Sequence, residues 1–204
     1  MEPSFSVRFF DAQFQRQVCE ADLRLNPFEQ AALPYLRGRV LDFGCGLGNL
    51  AIAAANKGCS VVALDASHTA IQHLKRMTEE RKFHIEAAQA DLRSFELTEE
   101  FDAVVSIGLL MFFDCATALR QLRNLQSHTR ANGVAVINVL VQGTTYLDMF
   151  DPKVYCLLSR DEMHTRFLGW EMLHSECQDF PAPKNQVKSF ITLIARKPHR
   201  PGET

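Results

Sequence analysis

The sequence has no stretch approaching the ~20 consecutive apolar residues of a membrane-spanning helix. It has no surplus of one charge either: 22 Lys and Arg against 24 Asp and Glu give a formal net charge of -2. That balance removes the usual electrostatic reason to expect nucleic acid, which calls for a basic face. Arg120, Arg123 and Arg130 are the nearest thing to a basic stripe, and a solvated helix face accounts for them. Cysteine is sparse, with six residues (Cys19, Cys45, Cys59, Cys115, Cys156, Cys177) forming neither a C-x-x-C pair nor a dense framework. Such scatter suits reduced thiols in a cytosolic protein better than a disulfide scaffold. No zinc-like histidine pairing is expected: His68 and His73, five apart, fall roughly 140° apart on a helix, and the other histidines are isolated. Glu2 and Arg8 interrupt the N-terminus, which does not read as a signal peptide. The absences together predict a cytoplasmic protein without a membrane, nucleic-acid or metal partner.

What is present reads as one globular domain. Of the 204 residues, 47% are hydrophobic and 23% charged, enough for a sizeable core in one domain and short for two. Short β-branched runs alternate with helical stretches. Strands are expected at Arg39–Asp42, Ser60–Leu64, Ile85–Ala90, Phe101–Ile107 and Gly133–Val141. Helices are expected from Leu50 to a stop at Gly58, from the Ser67 cap to about Arg81, and after the Asp114 cap. Nearly continuous apolar strands in such an alternation predict a parallel sheet with helices on both faces. Ser159-x-x-Glu162 is a capping box opening a short helix. Two strand-like runs follow, Trp170–Cys177 and Lys188–Ala195, too close for a crossover helix, so they should form an antiparallel hairpin.

The most informative segment is Val40-Leu41-Asp42-Phe43-Gly44-Cys45-Gly46-Leu47-Gly48-Asn49. Three alternating glycines between strand and helix let the backbone turn sharply and approach a ligand without Cβ clashes. A dinucleotide fold wants G-x-G-x-x-G/A, whereas here the last position is Asn49 and the pattern is G-x-G-x-G. Asp65 ends the second strand, where a carboxylate can accept both hydroxyls of an adenosine ribose, in NAD or in S-adenosylmethionine (SAM) alike. Asp91 ends the third strand, where its carboxylate and the Leu92 amide can meet an adenine edge. Ligands of open α/β sheets sit outside the carboxyl ends of the strands, and three such ends point at one crevice.

With these motifs, and with Val62-Ala63-Leu64-Asp65, Asp91-Leu92 and Phe101-Asp102, the sequence resembles the class I SAM-dependent methyltransferases over Arg39–Lys197. Within them it looks most like the tellurite-resistance and thiopurine-like small-molecule branch. That likeness rests on Phe9-Phe10-Asp11, Asn26-Pro27-Phe28, Leu110-Met111-Phe112-Phe113 and Phe167-x-Gly169-Trp170-Glu171. The resemblance implies a Rossmann-like α/β fold, a seven-stranded and mostly parallel sheet with an antiparallel C-terminal hairpin. It implies SAM as cofactor and S-adenosylhomocysteine (SAH) as product. By the same likeness Asp42 belongs to the cofactor site and Gly44, Cys45 and Gly46 line the methionine part. Asp65 takes the ribose, Ala66 lies against adenine, Asp91 and Leu92 read its edge, and Ser106 and Ile107 place a carbonyl near the amino group.

The expected reaction is methyl transfer to a small molecule: a thiol, a phenol or a chalcogen oxyanion. A non-catalytic SAM- or SAH-binding protein and a nicotinamide-dependent oxidoreductase are the alternatives. Tyr146, Arg160, His164 and Arg166 fall in the stretch expected to cover the substrate, and none is assigned as catalytic. The expected organisation is an N-terminal extension over 1–38, the methyltransferase domain over 39–197 and a tail over 198–204. Phe5, Phe9, Phe10 and Phe14 lie in that extension, and Phe5–Leu25 is expected to form either a lid over the acceptor or part of the core.

Overall fold

The apolar run before the glycine loop forms β1 (Arg39–Phe43), whose last four residues are all buried. Burial on both faces is what a central parallel strand requires. In the computed structural model, which describes residues 5–20 and 24–199, the other elements assemble around this strand. Two helices precede it, α1 (Phe5–Glu20) and α2 (Pro27–Ala32). The chain continues through α3 (Asn49–Asn56), β2 (Ser60–Asp65), α4 (His68–Arg81), β3 (Ile85–Gln89) and β4 (Phe101–Ile107). Then come α5 (Cys115–Ser127), β5 (Thr129–Leu140), α6 (Arg160–Thr165), β6 (Glu171–Ala182) and β7 (Gln186–Arg196).

The seven strands lie in the order β3-β2-β1-β4-β5-β7-β6. The first five pair in parallel, while β7 runs antiparallel to both β5 and β6. This is the Rossmann-like sheet with an antiparallel end that the sequence implied. Successive strand residues feed opposite faces. Leu41, Phe43, Val104 and Ile137 pack toward α5 and α6 with Leu122, Leu125 and Met163. Val40, Val61, Ala63 and Val136 pack toward α2, α3 and α4 with Ala32, Leu50 and Leu74.

The expected caps are in place. The Ser67 side chain accepts from Ala70 N–H and that of Asp114 from Thr117 N–H, while Ser159 and Glu162 form a reciprocal capping box. Three strands, β5, β6 and β7, extend beyond their apolar runs. β5 begins at Thr129 because a register shift and the left-handed Asn132 (φ 60°) let polar residues join the ladder before Gly133. The hairpin loop shrinks to Pro183–Asn185, and Pro181 pairs opposite Val187 inside β6. Proline is tolerated there because β6 is an edge strand with one side free of partners.

One expectation from composition is overturned. Cys115 and Cys156 are joined by a disulfide, with Cα atoms 4.8 Å apart across 41 residues of sequence. The juxtaposition arises because Cys156 N–H donates to Met111 C=O at 3.0 Å, folding the segment after β5 back onto the start of α5. Cys45 and Cys59 are free and buried, and Cys177 is free and exposed. Among the described residues no helix is long and apolar enough to cross a membrane.

Candidate functional site

The chain leaves β1 and β4 in opposite directions, and the crevice at such a switch is where open α/β sheets take ligands. A cavity of about 1030 Å³ opens there. The glycine loop forms its floor. Gly44, Gly46 and Gly48 have φ of 89°, 52° and 78°, a region that side chains with a Cβ avoid. Gly44 and Cys45 N–H both donate to Leu64 C=O, at 2.8 and 3.0 Å, which ties the loop to the end of β2. A Cβ on Gly44 would lie 2.9 Å from Leu109, and one on Gly46 would lie 3.2 Å from Phe14 of α1. The loop is therefore a cradle that larger residues would fill.

Carboxylates surround this cradle. Asp65 spans it, with Oδ2 accepting from Gly46 N–H at 2.9 Å and Oδ1 from Ser67 N–H at 2.8 Å. Each oxygen keeps a second lone pair for another donor. Burial pushes its carboxyl up, and those two backbone bonds oppose the shift. Asp42 is buried, and among the described residues its Oδ2 has no partner. Burial, then the nearby Glu29 and Asp65 charges, push it up to about 8. Glu29, whose carboxyl is also raised by burial, reaches the cavity from the first turn of α2. There it closes a capping box with Asn26, at 2.8 and 2.9 Å. Burial first, then Asp42 and Asp65, push the Cys45 thiol up as well, so it lines the cavity as a neutral thiol rather than a nucleophile.

The far end of the cavity holds Ala66, Asp91 and Leu92. Asp91 is engaged by Arg93, whose guanidinium bonds both carboxylate oxygens at 2.7 and 2.9 Å and holds the carboxyl below its usual range. Ile107 lines the cavity at the end of β4, whereas Ser106 is fully buried behind it with its hydroxyl unpartnered. The crevice thus gathers the residues singled out from the sequence, Ser106 lying one layer behind the others.

The opposite wall joins Phe10, Phe28, Phe112 and Tyr146, singled out from the sequence, to Phe190, Lys188 and Asn138, which were not. Phe28 of α2 meets Phe190 of β7 at 4.8 Å between centroids, and Phe112 lies between Phe10 at 5.0 Å and Phe150 at 4.9 Å. Lys188 sits 4.7 Å over the Tyr146 ring. Asn138 of β5, buried with an unpartnered Oδ1, also lines the cavity. Asn26-Pro27-x-Glu29 could have flagged Glu29, since it reads as an N-cap, a proline at N1 and a capping-box acid. Nothing local marks Lys188 or Asn138.

Of the residues expected to cover the substrate, Tyr146 lines the cavity and Arg160, His164 and Arg166 do not. α6 instead buries Met163 in the core, and its His164 bonds Arg160 C=O and the Ser175 hydroxyl, both at 2.8 Å. α1 does lie across the cavity, where Phe5, Phe9, Phe10 and Phe14 line it and the Ser67 hydroxyl donates to Asp11. Phe5 and Phe9 remain 38% and 36% exposed, more than core residues would be. Residues 21–23 of the expected lid fall outside the described residues.

Residues 40–133 match the model of a methyltransferase domain family. A probable S-adenosyl-L-methionine-dependent methyltransferase TehB of Haemophilus influenzae (strain 10810) is 26% identical over 166 residues, 78% of this chain and 57% of that protein. The cypemycin N-terminal methyltransferase of a Streptomyces species is 34% identical over 163 residues, 78% of this chain and 61% of that one. The crystal structure of TehB from Haemophilus influenzae superposes with a TM-score of 0.71 at 23% identity, covering 83% of this chain and 61% of the other. The chain thus spans less than two thirds of the length of these relatives.

Proposed function

The chain belongs to the class I SAM-dependent methyltransferases, near their tellurite-resistance branch, and from that premise we propose that it methylates a small-molecule acceptor in the cytoplasm. The acceptor classes that need least from the protein are a thiol, a phenol or a chalcogen oxyanion. One observation carries the cofactor assignment: Asp42, Glu29 and Asp65 face a cradle of left-handed glycines, and the Asp42 Oδ2 is buried without a partner. SAM brings an ammonium and a sulfonium, which offset these carboxylates. A nicotinamide dinucleotide brings a pyrophosphate, which they would repel.

In this reading Gly44, Cys45 and Gly46 pass under the methionine part, and Asp42 faces its ammonium. Ser106 and Ile107 supply backbone at the same end. Asp65 receives the ribose hydroxyls on its second lone pairs. Ala66 lies against adenine while Asp91 and the Leu92 amide meet its edge, with Asp91 sharing its oxygens between Arg93 and the base. When bound, the cofactor supplies an electrophilic methyl group on a sulfonium sulfur. The chain's own task is then to orient an acceptor and exclude water, and orientation alone removes on the order of 7–11 kcal/mol of a barrier. The phenylalanines of α1 suit the second task, closing the crevice as a lid formed by the N-terminal extension.

Calorimetry with SAM, SAH, NAD and NADP tests the cofactor reading, which expects heat from the first two alone. Turnover with thiols, phenols and chalcogen oxyanions separates an enzyme from a SAM-binding protein without activity. Heat from NAD with none from SAM overturns the proposal.

A further inference from the structure

We propose that Lys188 and Tyr146 form an anion-reading subsite in the acceptor half of the cavity, and that the acceptor is an aromatic molecule held as its phenolate or arenethiolate. The inference rests on the methyltransferase reading and narrows its acceptor class.

Three observations carry it. The first is the position of the cation. Lys188 follows the β7 register two residues before Phe190, so both side chains leave the same face of the sheet. Both line the cavity, on the wall opposite the Asp65 and Asp91 end. The second is the state of that cation. Its ammonium lies 4.7 Å over the Tyr146 ring, and among the described residues no carboxylate comes within 4.0 Å of it. The other basic side chains of the cavity are differently placed. Arg93 is committed to Asp91, His68 contacts Gln89, and Arg24 has interactions of its own. A half-buried ammonium that meets a π face and no carboxylate keeps its N–H donors for an anion.

The third observation is the wall around it. Phe28, Phe190, Phe112 and Met149 supply flat or adaptable apolar surfaces, which bind the face of an aromatic body. A small, strongly hydrated oxyanion would leave those surfaces uncovered, whereas an aryl group with one charged atom meets both features. The acceptor arrives already ionised, its proton left in solvent, so the site needs no base. Asp151, which also lines the cavity, accepts from Lys153 N–H at 2.9 Å.

The test uses 4-nitrophenol and its neutral methyl ether, 4-nitroanisole, with SAH at saturation and at mildly alkaline pH. Binding is read by calorimetry and by the absorbance of the phenolate. The wild-type protein should bind the phenolate about ten- to a hundredfold more tightly than the ether, the range of one charge-assisted hydrogen bond. Lys188→Met should erase that preference with ether affinity and SAH affinity unchanged, and Lys188→Arg should retain most of it. Equal binding of phenolate and ether, binding of neither, or a preference that survives in Lys188→Met each overturns the subsite. Silence in the SAH titration itself sinks the methyltransferase reading instead, so the two failures are distinguishable.

Discussion

Replacing Asp42 by asparagine removes a carboxyl that the fold holds in an unfavourable place. An aspartate titrates near 3.8 in the absence of its surroundings, and Asp42 does so at about 8 because it is buried and faces Glu29 and Asp65. Between those values the unfolded chain has lost its proton while the folded protein keeps it. Wild-type stability therefore falls as pH rises through that window, with a limiting slope of about 1.4 kcal/mol per pH unit for one proton. Below the window both states are protonated and above it both are ionised, so this group adds no further slope. Asparagine cannot ionise, and Asp42→Asn should gain on the wild type progressively from pH 4 to about 8 and hold its lead above. Urea denaturation of both proteins without ligand, at intervals across that range, measures the difference directly. Bound SAH should narrow that lead at the alkaline end, because its ammonium compensates an ionised Asp42 and has nothing to pair with in the variant. The expected loss of SAH affinity above the folded value is about tenfold or more, from a charge-assisted bond of ~1.5–3 kcal/mol. Parallel unliganded curves would refute the buried-carboxyl argument, and equal SAH affinities at alkaline pH would remove Asp42 from the cofactor site.

Gly46→Val should abolish measurable SAM binding, because the residue has φ of 52° and a Cβ there would already press on Phe14 at 3.2 Å. Normal affinity in a folded variant would show that the loop is no cradle. Deleting residues 1–25 should leave a folded protein that binds SAH nearly normally, with most turnover lost, as expected of a lid. Unfolding on deletion would show α1 to be core, and full activity would eliminate the lid. Reduction of Cys115–Cys156 opens a loop spanning a sequence separation of 41. The chain-entropy model puts its contribution at about 4 kcal/mol. Dithiothreitol should therefore lower Tm by roughly 8–16 °C, on the usual scaling for a chain of this size. An unchanged melting curve would show that the bond adds no such constraint.

Much of the fold was legible because its signals are local. The run Val40–Phe43 and the glycines after it specify a strand, a left-handed turn and a helix start within ten residues. The caps at Ser67, Asp114 and Ser159 act over three residues, a span in which side chain and backbone meet whatever the rest of the chain does. The strand-end acids were legible for a related reason, since a parallel α/β sheet brings the carboxyl ends of its strands to one edge. Asp42, Asp65 and Asp91 accordingly converge on one crevice.

Other features needed the tertiary structure, because they join parts of the chain between which no periodicity runs. Glu29 raises the Asp42 carboxyl from a helix outside the sheet, and Lys188 meets Tyr146 across the loop after β5. Cys115 and Cys156 carry no spacing signal, and only the fold of that loop onto Met111 brings them into bonding distance. The same packing turns α6 toward the core and away from the cavity, since burying Met163 and Phe167 outweighs any preference that His164 or Arg166 could express from an exposed face. Local sequence determined which cofactor class the crevice suits. The wall facing it was decided by contacts that form only when β7, α2 and the segment after β5 pack together.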